Sequence, residues 1–259
     1  MYQHLTFLFL ALFTLCACTG NKLDEKGFPV GTDADSQTDG AVEGIAKDSL
    51  KFETRPSNVL LTGIPNVRLT TVYKVNIDKE GARFIGGNSY HESYSYLDGT
   101  DGNQWNSNYM PGIEAVYGYN LVNISHYDYQ ANRQRAFFEK PVLVRTLYYP
   151  SFSQDSLYHV PVQRNYFMVS AYNEDTNKDG HITLRDLRRF FWFDVNGVLQ
   201  APLVPENYSV LKSEYDPGND FMHLFAQLDE NGNGRVEDTE PVHIFWVDLK
   251  DPGRTGRVY

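Results

Sequence analysis

The sequence predicts an all-β protein, built of β-propeller-like blades or antiparallel hairpin repeats with long polar loops between strands. A β-sandwich is the runner-up. Three observations carry this. From about Leu50, runs such as VRLTTVYKVNI, YGYNLVNISHY, PVLVRTLYY and YSVLKSEY are rich in β-branched and aromatic residues, which suit a pleated, half-buried surface. Turn signals separate them, among them Gly63, Pro65, Gly86-Gly87, Asp98-Gly99, Asp101-Gly102 and Pro111-Gly112, and no window holds a helical period. Finally, residues 165–197 recur at 219–251 without a gap: Phe167 matches Phe221, Met168 Met222, Asp175 Asp229, Asn177 Asn231, Gly180 Gly234, Trp192 Trp246 and Asp194 Asp248. A repeat of this length marks one supersecondary unit copied along the chain.

Taken in order, residues 1–17 carry the apolar run LTFLFLALFTLCA. It is too short for a comfortable membrane span and reads as an export signal. It ends in Leu15-Cys16-Ala17-Cys18, which resembles a bacterial lipobox with Cys18 as the lipidated, acylated first mature residue. An uncleaved anchor or an ordinary secretory signal is the alternative. Thr19 rather than aspartate follows the cysteine; the lipoprotein resemblance then implies the outer membrane and leaves periplasmic and surface faces open. Cys16 and Cys18 are the only cysteines, so processing at Cys18 would leave neither a free thiol nor a disulfide.

Residues 18–49 hold isolated apolar residues among Gly, Asp, Ser and Thr. Such a segment cannot bury enough surface to offset its ordering entropy, so it is expected to be a flexible tether. Residues 50–259 are long enough for one all-β domain with a substantial core. Within it, residues 120–149 suggest an older copy of the unit, in a strand, polar loop, strand order. That loop lacks a run of oxygen ligands, so no metal is expected there.

The repeat centres are DTNKDGHITLRD (175–186) and DENGNGRVEDTE (229–240). Both fit the twelve-residue EF-hand calcium loop, which supplies oxygens at positions 1, 3, 5, 7, 9 and 12 and needs glycine at 6. The first loop offers Asp175, Asn177, Asp179, His181 (backbone carbonyl), Thr183 and Asp186, with Gly180 at the turn. The second offers Asp229, Asn231, Asn233, Arg235 (backbone carbonyl), Glu237 and Glu240, with Gly234. Position 8 is apolar in both, Ile182 and Val236. Two calcium ions are therefore expected, with magnesium open at the first loop because Asp186 is shorter than glutamate. Asp/Asn/Gly-rich stretches also make ordinary turns, and two full matches at equivalent places in a repeat are what favour metal.

The flanks differ from an EF-hand. YFMVSAY before the first loop and HIFWVDL after the second are strand-like, and Pro241 directly follows Glu240. LRDLRR leaves room for one helical turn. The unit is read as a β-hairpin whose long connection folds round an ion, so that calcium orders the hairpin instead of opening a helix pair. The strand FFWFDVNG and the later Asp-Pro-Gly turn (Asp216–Gly218) resemble a TolB-type propeller blade. A period of 54 leaves room for roughly four such units in the domain. The chain as a whole resembles bacterial envelope lipoproteins with EF-hand-like loops. That resemblance implies calcium binding and an envelope location, and it implies no activity.

No Gly-x-Ser-x-Gly elbow, phosphate loop or His-Glu-x-x-His motif occurs, so no catalytic residue is assigned. His91 beside Glu92, and His126 beside Asp128, would set a base next to a carboxylate; in aromatic strands they read more simply as polar surface groups. Tyrosines cluster in SYHESYSY, NYMPGIEAVYGYN and SHYDY. A face of such residues suits an envelope protein or a glycan as partner, while half-exposed strands also explain it. The net charge of −10 argues against a nucleic-acid partner, which wants a basic protein face. These readings converge on a lipid-anchored, calcium-binding envelope protein with a binding or scaffolding role, calcium being structural. The alternative is an exported calcium-dependent hydrolase acting on glycans, which would need a carboxylate pair in an open cleft.

Overall fold

The computed structural model describes residues 27–30, 52–77, 83–85, 88–90 and 110–259. The signal segment, Cys18, most of the tether, and His91 and Glu92 lie outside the described residues. Those described are all-β, with no helix among them. The LRDLRR stretch closes in a turn with no helical residue.

Three antiparallel sheets make the body. The first runs β2 (Thr54–Leu61), β3 (Val67–Ile77), β7 (Leu121–Asp128) and β8 (Arg133–Ala136), with β4 (Arg83–Ile85) also on β3. The second has the order β15 (Leu199–Pro202), β14 (Arg189–Asp194), β12 (Tyr166–Tyr172), β9 (Leu143–Pro150), β6 (Ile113–Gly118), β5 (Asn88–Tyr90). The third is a simple meander of β16 (Tyr208–Asp216), β17 (Phe221–Leu228), β18 (Val242–Asp248) and β19 (Thr255–Arg257). A hairpin of β10 (Asp155–Leu157) and β11 (Val160–Val162) stands apart.

The second sheet is the middle layer. Successive side chains of a strand point to opposite faces, and both faces of β12 are covered. Phe167, Val169 and Ala171 enter a core with Leu69, Tyr73 and Ile124 of the first sheet. Tyr166 and Met168 enter another core with Met222, Leu224 and Val247 of the third. This explains why YFMVSAY is apolar almost throughout, where a strand wet on one face would alternate. The layering matches the sandwich arrangement, and nothing among the described residues closes the sheets into a ring. The suggested older copy at 120–149 does not hold. In the true units the strands flanking the loop pair directly, β12 with β14 and β17 with β18. Strands β7 and β9 instead belong to different sheets.

The middle and third layers are joined by a buried ion pair. Both terminal nitrogens of the Arg164 guanidinium donate to Asp220, at 3.0 and 2.8 Å, and Arg164 also donates to the carbonyls of Pro111 and Leu249. Tyr215 donates to the same carboxylate at 3.1 Å.

His126 corrects an expectation. It is 3% exposed, not a surface group. Its Nε2 donates to the Val195 carbonyl at 3.0 Å, and its ring packs edge-on to Phe167. Asp128 is not its hydrogen-bond partner; that carboxylate accepts the Gln130 and Ala131 amides of a turn. Burial pushes the imidazole below its usual pKa, outweighing the hydrogen bond to Val195, which raises it. The neutral form is thus favoured in the fold. Its contribution is complete above the unfolded value of about 6.5 and is lost as pH falls toward the folded pKa, at up to about 1.4 kcal/mol per pH unit. Urea titrations between pH 7.5 and 5 should show a steeper loss of stability in the native chain than in His126→Gln. Equal slopes would remove His126 from the acid response.

Candidate metal centre

Each loop sits in a hairpin whose strands are fixed by core packing, so the loop ends are held before any ligand arrives. The two loops share one backbone conformation. Position 4 is left-handed in both (Lys178 φ 60°, Gly232 φ 71°), as is position 6 (Gly180 φ 84°, Gly234 φ 72°). The glycine at position 6 answers that requirement; Lys178 meets it with a side chain, at some strain.

The hydrogen bonds repeat as well. The position-1 carboxylate accepts the amides of positions 5 and 6: Asp175 from Asp179 and Gly180 at 3.0 and 2.8 Å, Asp229 from Asn233 and Gly234 at 3.1 and 2.9 Å. The position-3 carboxamide oxygen accepts the amide of position 5, in Asn177 at 3.0 Å and in Asn231 at 2.9 Å. The position-5 side chain accepts the amide of position 7, in Asp179 from His181 and in Asn233 from Arg235. These bonds turn the polar side chains inward along the loop. Each oxygen keeps lone-pair capacity beyond one N–H, so the set remains able to ligate. Among the described residues no three His, Cys, Asp or Glu side chains form a ready-made metal cluster. The loop donors are a mixture of carboxylate, carboxamide and backbone oxygens, as hard cations with flexible geometry prefer.

The loops differ at position 12. In the first, Asp186 is fully buried. One oxygen accepts the Thr176 and Asn177 amides at 2.9 and 3.3 Å, and the other accepts the Thr183 amide at 2.8 Å. Burial pushes this carboxyl above the usual carboxylate range, against the lowering effect of those amides. In the second loop, Glu240 is 8% exposed. Its Oε1 accepts the Glu230 and Asn231 amides at 3.0 and 3.4 Å. Its Oε2 is buried and has no hydrogen-bond partner. Glu237, at position 9, accepts the carboxamide N–H groups of Asn231 and Asn233 at 2.9 and 2.8 Å.

The two loops touch. The Thr176 hydroxyl donates to the Gly234 carbonyl at 2.7 Å and accepts the Leu187 amide at 2.8 Å. A Cβ on Gly234 would lie 2.0 Å from the Thr176 carbonyl oxygen, so glycine is required there by the neighbouring loop as well as by φ. Sequence alone gave no sign of this contact.

The first loop has a further strand, β13 (His181–Thr183), and β1 (Gly27–Pro29) pairs with it antiparallel. Of the segment expected as a flexible tether over 18–49, Gly27–Val30 are the described residues, and they lie docked on this loop. Among the described residues the second loop has no such partner: Arg235–Glu237 form no strand and Val236 is 42% exposed.

Among the described residues, cavities also lie away from the loops. A groove of about 410 Å³ on the first sheet is lined by Arg68, Thr70, Ser125, Tyr127, Tyr129 and Gln134, with Pro56, Val59 and Val72. A water-sized one lies beside Asn120. Neither lining includes an Asp or Glu. No helix among the described residues is long and apolar enough to cross a membrane. No protein-family model matches the chain, and no curated protein matches it.

Proposed function

We propose that the protein is a calcium-binding, lipid-anchored component of a bacterial cell envelope, in which calcium is structural and the role is binding or scaffolding. The observation that carries the calcium reading is Glu240. A buried carboxylate oxygen without a donor costs several times an ordinary hydrogen bond, and such an atom calls for an ion or water. It stands at the position where a calcium loop places its last carboxylate. Its partner oxygen is pinned by two amides, so the free one is held in place. The lipid anchor is supported by the sequence around Cys18, and the partner class by the tyrosine-rich strands.

Calcium at the second loop would be held by Asp229, Asn231, Asn233, the Arg235 carbonyl, Glu237 and Glu240. At the first it would be held by Asp175, Asn177, Asp179, the His181 carbonyl, Thr183 and Asp186. The ion supplies charge balance for three carboxylates in each loop, and the chain supplies preformed turns.

Isothermal titration of the intact protein with calcium should give two sites of unequal affinity. The second loop is the tighter, because Glu240 offers a buried oxygen with no competing donor, whereas the corresponding Asp186 oxygen already accepts the Thr183 amide, a bond that ligation would weaken. One hydrogen bond of that kind, about 1–1.5 kcal/mol, is roughly tenfold in affinity. Asp229→Ala should abolish the tight site, and Asp186→Glu should strengthen the weak one. A tight site that survives Asp229→Ala would overturn the assignment.

A further inference from the structure

We propose that Gly27–Val30 is a strap whose docking on the first loop is coupled to calcium occupancy of that loop. The inference rests on the calcium reading of that loop.

The docked segment is shaped for its seat. Gly27 has φ 151°, and a Cβ there would lie 2.4 Å from the Ile182 carbonyl oxygen, so no other residue fits. Lys74 donates to the Gly27 carbonyl at 2.5 Å. Phe28 is 5% exposed and shares a small core with Val72, Val122, Leu143, Tyr172 and Ile182. Ile182 is position 8 of the loop, so the peg presses directly on the back of the ligand-bearing segment.

The register explains how both partners are served at once. The Val30 amide donates to the Gly180 carbonyl at 2.9 Å. Hydrogen-bonded and non-bonded pairs alternate in an antiparallel ladder, which places the Pro29–His181 pair at a non-bonded position. Proline's missing N–H therefore costs no ladder bond. His181 points its own N–H and carbonyl away from β1, where the N–H meets Asp179 at 3.0 Å. The carbonyl that serves as the position-7 ligand is thus left to the loop. Calcium and the strap order the same four residues, Gly180–Thr183, from opposite sides. Whichever binds first meets the ordering cost for the other, which is positive coupling.

The effect is a change of reach. Nine peptide steps lead from Cys18 to Gly27, a span of at most about 30 Å; thirty-two lead to Leu50, a limit of about 110 Å. Calcium would hold the domain near its anchor, and its loss would let the domain stand off.

The test compares the intact native protein with Gly27→Ala, whose Cβ would meet Ile182 and Thr183 and bar the strap from its seat, and with Lys74→Met, which removes the donor to the Gly27 carbonyl. Calcium titration should show one of two sites weakened by about tenfold in Gly27→Ala and the other unchanged. Exchange of the Val30 amide should be slowed by calcium relative to EDTA by a similar factor, since coupling is reciprocal. Lys74→Met should move both readouts the same way by less. Two unchanged sites in both variants, with Val30 exchange indifferent to calcium, would overturn the strap and leave the calcium reading standing. Absence of any calcium binding by the native protein would overturn both.

Discussion

The intact protein will unfold at a markedly higher temperature in about 10 mM calcium than in EDTA. Extracellular calcium modules bind at about 0.1–1 mM, so calcium at about 10 mM adds about 1.4–2.7 kcal/mol per site. Two loops together approach half the net stability of an ordinary domain. The gain arises because each loop gathers three carboxylates, Asp175, Asp179 and Asp186 or Asp229, Glu237 and Glu240, which repel one another without a cation. The paired Asp175→Ala, Asp229→Ala variant should unfold alike in calcium and EDTA. Magnesium should reproduce little of the rise at the second loop, because it demands a small, near-octahedral shell. If native protein shows no calcium-dependent shift, both stretches are turns and the calcium reading fails.

The second large effect belongs to Arg164 and Asp220, both all but fully buried as side chains. Asp220→Ala leaves a guanidinium among apolar neighbours with two carbonyls and no counter-charge. Breaking one partner of such a pair costs about 3–5 kcal/mol. Arg164→Met alone should cost a comparable amount, through the stranded Asp220, which keeps only Tyr215 as a side-chain donor. Replacing both with apolar residues should recover much of the loss, since the penalty lies in the unpaired charge. Denaturant unfolding in EDTA isolates this from any contribution of metal. A cost for Asp220→Ala below about 1 kcal/mol would equate the pair with a surface ion pair and refute its role as the joint between layers.

The parts legible in the sequence were those written locally. Strand and turn composition announced the all-β class, and the copied 33-residue stretches located both hairpins and their loops. The apolar run of β12 hinted at two buried faces without saying which layers would cover them. What was hidden depended on residues far apart in the chain. Arg164 and Asp220 are 56 residues apart and each looks like a loop charge. Phe28 sits in a Gly- and Asp-rich stretch, and its seat on Ile182 lies beyond any local pattern. His126 looked exposed beside polar neighbours, but Phe137, Phe167 and Gly197 close over it. The apparent unit at 120–149 misled because strand, loop, strand order says nothing about which sheet each strand joins.

The contact between Thr176 and Gly234 gives one glycine two tasks. Its φ of 72° closes the turn of its own loop, and its lack of a Cβ admits the Thr176 carbonyl oxygen of the other. The residue that shapes a turn thereby sets the spacing between the two loops, so one local requirement also fixes how closely the copies lie.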